Sequence, residues 1–126
     1  MIAHVLHRIR HCSVLFVGAA LAVMSSNGAA HAIVIGTSLK EHPIQARTPA
    51  QVILKFNSAI EVALSRVFLV SKGDTYRPLG IRAGAKRGEL IVEVPALMPG
   101  DYALKYRAYA ADGHLTEDAI RFTVPH

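Results

Sequence analysis

The amino-acid sequence contains one cysteine, Cys12, and no tryptophan. Cys12 lies in an N-terminal stretch that has the pattern of a cleaved leader, so the exported chain has no thiol for a disulfide or a thiolate metal site. Aromatic residues make up 6% of the chain, and of its three methionines Met98 alone follows the leader. One thioether cannot build the sulfur-rich site that selects Cu(I), so a site of that kind is excluded.

Residues 1–30 have the pattern of a secretory signal peptide. Arg8 and Arg10 make a positive start, residues 13–23 form an almost uninterrupted apolar run, and residues 25–30 are small or polar. The apolar run is shorter than the about 20 residues that span a bilayer, which disfavours a transmembrane anchor. We therefore expect export and removal of the leader.

Two cleavage points fit the small-x-small rule for signal peptidase. Cleavage after Ala30 leaves His31 as the first residue, with an amine and an imidazole on the same residue. Cleavage after Ala32 leaves Ile33 first and removes that pair of nitrogens. Residues 31–126 are expected to form one small domain, since fewer than a hundred residues suffice for one core and not for two.

The basic residues of the expected domain are scattered along the sequence. The formal net charge of the whole chain is +5, and Arg8 and Arg10 leave with the leader. Lys86 and Arg87 are the one adjacent basic pair that follows it. Nucleic-acid binding domains carry clustered basic stripes interleaved with aromatic residues, so the pattern predicts no nucleic-acid partner.

Short apolar alternations bounded by turn residues dominate the rest of the chain. This pattern predicts an all-β fold, a β-sandwich of about seven short strands, with no amphipathic helix. Residues 82–88, with two glycines and no apolar period, are predicted to be a loop. The expected strands are 32–35, 52–56, 67–70, 76–81, 90–94, 102–108 and 120–124.

The sequence Asp112-Gly113-His114 follows the clearest of these alternations. Residues two apart on an extended chain point to the same side, so Asp112 and His114 can present a carboxylate and an imidazole together. The same triplet also fits a turn in which Asp112 caps backbone donors. If His31 is the first residue and lies nearby, its two nitrogens complete an N,N,N,O set that suits tetragonal Cu(II), although Zn(II) can also use it.

Other polar residues of the expected domain carry weaker signals. His42 is expected in a solvated loop, His126 at a frayed end, and Glu61 at the surface. Whether His42 or His126 assists a metal site is left open by the sequence. There is no Gly-x-Ser-x-Gly nucleophile motif and no glycine-rich phosphate loop.

Several segments, taken in order, resemble the CopC family of bacterial copper-resistance proteins. The similarity covers most of residues 31–126 in order and spacing, and its most specific part is Ala110-Ala111-Asp112-Gly113-His114. The segments that carry it are 31–35, 52–56, 99–102, 110–114 and 122–124.

The resemblance implies a small Greek-key, immunoglobulin-like β-sandwich in the periplasm that binds one Cu(II) ion. The implied ligands are the amine and imidazole of His31, the carboxylate of Asp112 and the imidazole of His114. It also implies an inner-membrane copper transporter of the CopD type as a partner. Two departures are evident: no methionine-rich loop for a second, Cu(I) site is present, and a glutamate common in the family is replaced by Asn57-Ser58.

Three functional hypotheses follow. The leading one is a copper carrier or buffer that is not an enzyme. A second is a copper-dependent oxidative enzyme, because an N-terminal histidine chelate also resembles the centre of lytic polysaccharide monooxygenases. A third is an immunoglobulin-like interaction module without metal, in which Asp112 and His114 are turn residues.

Overall fold

The computed structural model describes residues 32–126 and contains two antiparallel sheets of four strands packed face to face. The predicted β-sandwich is confirmed, with eight strands where about seven were expected. A short 3₁₀ helix, Val62–Leu64, lies between β2 and β3. The strands are β1 (Val34–Thr37), β2 (Ala50–Phe56), β3 (Arg66–Ser71), β4 (Thr75–Leu79), β5 (Ile81–Ala83), β6 (Glu89–Val94), β7 (Gly100–Tyr109) and β8 (Leu115–Val124).

The strand order is β1-β2-β6-β5 in the first sheet and β4-β3-β7-β8 in the second. Alternate side chains of each strand point inward, because successive residues of a strand face opposite sides of the sheet. The core lies between the sheets and consists mainly of Val and Leu residues. Its largest fully buried side chains are Leu54, Leu90, Leu104, Val52, Val67, Val92 and Val124.

The segment predicted as one strand over 76–81, followed by a loop, crosses from one sheet to the other. Its first part is β4, an edge strand of the second sheet, where Pro78 is tolerated because no ladder donor is needed on the open side. After Gly80, whose carbonyl accepts a 2.9 Å hydrogen bond from Glu93 N, the chain continues as β5 in the first sheet. Residues 82 and 83 of the expected loop 82–88 therefore belong to β5, a strand too short to show an alternation of apolar residues.

The last strand begins earlier than predicted. Alternation indicated a strand over 120–124, whereas β8 starts at Leu115. Its first half is polar because β8 lies at the edge of its sheet, where Glu117, Asp118 and Ala119 are exposed to water. As a result β7 and β8 pair along their full lengths, from Gly100 opposite Val124 to Tyr109 opposite Leu115.

The predicted signal peptide, residues 1–30, lies outside the described residues, and so does His31. Both cleavage points therefore remain predictions. Within residues 32–126, no helix has the length and apolar character needed to cross a membrane.

Candidate metal centre

Asp112 and His114 lie in the connection between β7 and β8, at one end of the sandwich. The connection closes with two backbone hydrogen bonds, from Ala110 N to His114 O (2.9 Å) and from Gly113 N to Ala110 O (2.9 Å). Gly113 has φ 89°, a left-handed conformation that glycine adopts without a steric penalty. The tight turn fixes the backbone on both sides of the Asp112 and His114 side chains.

The Asp112 carboxylate contacts His114 through both of its oxygens. Oδ1 accepts a 3.1 Å hydrogen bond from the backbone N of His114, and Oδ2 lies 3.0 Å from the ring nitrogen Nδ1. These hydrogen bonds to the imidazole and to the backbone lower the pKa of Asp112. Because the carboxylate is ionised near neutral pH, the contact assigns the proton to Nδ1. The contact fixes the orientation of the ring, so that an imidazole nitrogen and a carboxylate oxygen lie side by side in the turn.

Both side chains remain accessible to an ion in solution. The exposed fraction is 40% for the side chain of Asp112 and 52% for that of His114. The turn alternative for Asp112 is therefore part of the observed geometry, since Oδ1 caps a backbone donor while Oδ2 faces the imidazole. The backbone cap uses Oδ1, so Oδ2, beside the His114 imidazole, is the carboxylate oxygen that is placed to bind a metal ion.

The segment Asn57–Ile60, which follows β2, links the N-terminal end of the described chain to this turn. Asn57 N donates to Ile33 O (3.0 Å), and the Asn57 side-chain oxygen accepts from Ile33 N (2.8 Å). Two residues later, Ala59 O accepts from Ala111 N (3.0 Å). Four consecutive residues thus hold residue 33 on one side and the residue before Asp112 on the other.

Gly88 supports this linking segment from the turn that precedes β6. Its carbonyl accepts a 2.8 Å hydrogen bond from Phe56 N. A Cβ atom at this position would lie 2.5 Å from Phe56 O and 3.1 Å from Ser58 O, and φ is +81°. Only a residue without a side chain allows the backbone to approach so closely.

Aromatic and apolar side chains form the part of the core next to this end of the sandwich. The rings of Phe56 and Tyr106 meet edge to face, with centroids 5.5 Å apart. Tyr106 is 3% exposed, and burial, followed by the charge of Asp118, raises its pKa. Ala32 is 0% exposed. The chain is therefore anchored in the core at Ala32, the residue that follows His31.

The structure brings together two of the three predicted ligands, Asp112 and His114. The third, His31, lies outside the described residues. Within residues 32–126, no group of three His, Cys, Asp or Glu side chains is placed to hold a metal ion. Asp112 and His114 are therefore two candidate ligands, and a metal ion bound between them would need others.

His42 and His126 lie outside the Asp112–His114 turn. His42 follows β1, and its backbone N donates to Ser38 O (2.8 Å). His126 follows β8 beyond Val124, which pairs with the first residue of β7. At about 3.3 Å per residue, the length of β7 separates His126 from the turn by about 30 Å. Among the described residues, neither histidine joins Asp112 and His114 in a group of three side chains placed to hold a metal ion.

Sequence patterns did not assign Asn57 to the site. A polar residue after an alternating run indicates no more than the end of a strand, here the strand expected over 52–56. The role of Asn57 as the anchor of Ile33 depends on pairing across 24 residues of sequence. A local pattern carries no signal of such a contact.

Comparisons with known proteins identify the family. Residues 34–125 match the model of the CopC domain. The chain belongs to the CopC family. The structure resembles the crystal structure of CopC from Methylosinus trichosporium OB3b, with a TM-score of 0.64 and 28% identity, over 75% of this chain and 94% of that one.

A second structural relative is PcoC, a methionine-rich copper resistance protein from Escherichia coli. Its TM-score is 0.57 and its identity 22%, over 75% of this chain and 99% of that chain, a likeness that concerns the fold. No curated protein matches this sequence. Membership of the CopC family supports a copper-related function for the chain.

Proposed function

We propose that this protein is a periplasmic Cu(II)-binding protein that carries or buffers copper, with one ion bound per chain. The observation that carries the proposal is the Asp112–His114 pair, held at 3.0 Å on an accessible turn in a member of the CopC family. The predicted leader, residues 1–30, supports export.

The proposed ligands are the amine and imidazole of His31, the imidazole of His114 and the carboxylate of Asp112. The donor chemistry fits Cu(II), which favours tetragonal sets of nitrogen and oxygen ligands. Two described contacts support the participation of His31. Ala32, the next residue, is buried in the core, and Ile33 is hydrogen-bonded to the linking segment that also holds Ala111.

The ionised Asp112 carboxylate has two functions in this proposal. In the metal-free protein it holds the His114 ring through the 3.0 Å contact between Oδ2 and Nδ1, and when the ion binds it supplies a negatively charged oxygen ligand beside the imidazole. Each ligand must be unprotonated to bind, so affinity for Cu(II) decreases as the pH falls.

The protein is proposed to be a carrier and not an oxidative enzyme. An enzyme acting on a polysaccharide needs exposed aromatic side chains beside the metal. Among the described residues, Tyr76 is the most exposed aromatic, with 50% of its surface accessible. It pairs with Val70, which lies opposite Ala103 near the start of β7 and away from the turn.

A transporter of the CopD type in the inner membrane is the proposed partner.

A Cu(II) titration of the exported protein, followed by electron paramagnetic resonance, tests this function. We expect one bound ion per chain and a large loss of affinity in Asp112→Ala and in His114→Ala. His42→Ala removes an exposed histidine from the turn after β1 and is the matched control. Unchanged affinity and spectra in the first two variants would instead support the interaction-module hypothesis, in which this turn is structural.

A further inference from the structure

Two buried hydroxyl groups lack a hydrogen-bond partner within residues 32–126. They are Ser58 Oγ and Thr116 Oγ1. Buried polar side-chain atoms in native proteins are nearly always paired, because an unpaired hydroxyl has lost its bonds to water without replacement. An exception therefore needs an explanation, such as a group that binds there.

Both hydroxyls belong to the end of the sandwich that holds the candidate metal centre. Ser58 lies in the linking segment between Asn57, which binds Ile33, and Ala59, which binds Ala111. Thr116 follows His114 by two residues, and residues two apart on an extended chain point to the same side.

A third hydroxyl in the same region shows the usual pattern. Ser65 is 0% exposed and fully paired. Its Oγ donates to Glu61 O (2.8 Å) and accepts from Tyr109 N (3.0 Å), which ties the 3₁₀ helix to the end of β7. The fold thus pairs a buried hydroxyl when the hydroxyl has a structural function, whereas Ser58 and Thr116 remain available to another group.

We propose that Ser58 and Thr116 are positioning residues of the copper site, whose hydroxyls become hydrogen-bonded when the ion and its ligands are in place. A hydroxyl can accept from the N–H of an amine or from metal-bound water, and it can donate to a carboxylate. Partners of this kind orient the ligands without binding the metal. The inference deepens the proposed function and rests on it.

The test compares Ser58→Ala and Thr116→Val with the wild-type protein, each change removing one hydroxyl at nearly constant shape. Thr75→Val, at the exposed start of β4, is the control. Without metal, both test variants should unfold at the same or a higher temperature than wild type, because an unpaired buried polar atom is gone. With Cu(II), each should bind about tenfold more weakly and give a shifted electron paramagnetic resonance spectrum.

Weaker Cu(II) binding, without any loss of stability in the metal-free protein, identifies a positioning role. A lower unfolding temperature without metal, combined with unchanged Cu(II) affinity and spectrum, would mean that the hydroxyls are structural and would overturn the inference. Unchanged affinity with unchanged stability would overturn it as well. If a single variant loses affinity, the inference holds for that residue and fails for the other.

The same series separates this inference from the proposed function. If His114→Ala loses Cu(II) while Ser58→Ala and Thr116→Val bind it like wild type, the copper site stands and the positioning role is refuted. If the wild-type protein itself does not bind Cu(II), the proposed function fails and the inference fails with it.

Discussion

Gly88→Ala is expected to disrupt the linking segment that joins the N-terminal end of the chain to the Asp112–His114 turn. The added methyl group would lie 2.5 Å from Phe56 O and 3.1 Å from Ser58 O. Both atoms belong to the backbone and cannot rotate away, so β2 and the residues after it must move. The displaced residues include those that hold Ile33 and Ala111.

The magnitude follows from two separate costs. A residue other than glycine in the left-handed region costs about 1–2 kcal/mol. Forcing a methyl group into occupied space adds about 1–3 kcal/mol. Together these terms predict a loss of about 2–5 kcal/mol in the free energy of unfolding of Gly88→Ala.

Gly73→Ala is the matched control, since Gly73 has φ +80° and no atom within 4 Å of the added Cβ. That variant has the conformational cost alone, about 1–2 kcal/mol. Urea denaturation of the metal-free proteins measures both values. We expect Gly88→Ala to be the less stable variant by about 1–3 kcal/mol and to bind Cu(II) more weakly than Gly73→Ala. Equal destabilisation would refute the role given to close packing at Gly88.

Three further predictions concern the anchor, the turn and the core. Asn57→Ala removes the acceptor for Ile33 N, so amide exchange at Ile33 should accelerate while the core amides keep their protection. The carboxyl of Asp112 should titrate below its usual range by NMR and return toward it in His114→Ala. Since its pKa is lowered by folding, Asp112 stabilises the protein above the pKa it has when unfolded, and this contribution disappears as the pH falls through the folded value. Leu104→Ala should cost about 2–5 kcal/mol in denaturant unfolding, because Leu104 is 0% exposed.

Much of the sandwich was predictable because its central strands are buried on one face. In β2, for example, Val52, Leu54 and Phe56 point into the core while their neighbours face outward, and the sequence alternates accordingly. The polar first half of β8 and the three-residue β5 were missed. One is an edge strand open to water, and the other is too short to show a period.

The candidate centre was predictable to a different extent. The proximity of Asp112 and His114 follows from their spacing, and the structure confirms it. The attachment of Ile33 to Asn57, and of Ala111 to Ala59, joins residues far apart in sequence, which no local pattern encodes. The participation of His31 is inferred from its donor atoms and from membership of the CopC family.

The central claim is that His31, as the first residue, binds one Cu(II) ion together with Asp112 and His114. Electron paramagnetic resonance of the equimolar Cu(II) complex, prepared from protein that begins at His31, tests it most directly. The same protein with one glycine added before His31 is the comparison, because the added peptide bond removes the amine ligand from that residue. The account predicts a tetragonal Cu(II) spectrum with nitrogen coupling that changes in the extended protein, together with weaker binding. Identical spectra and affinities in the two proteins would contradict it.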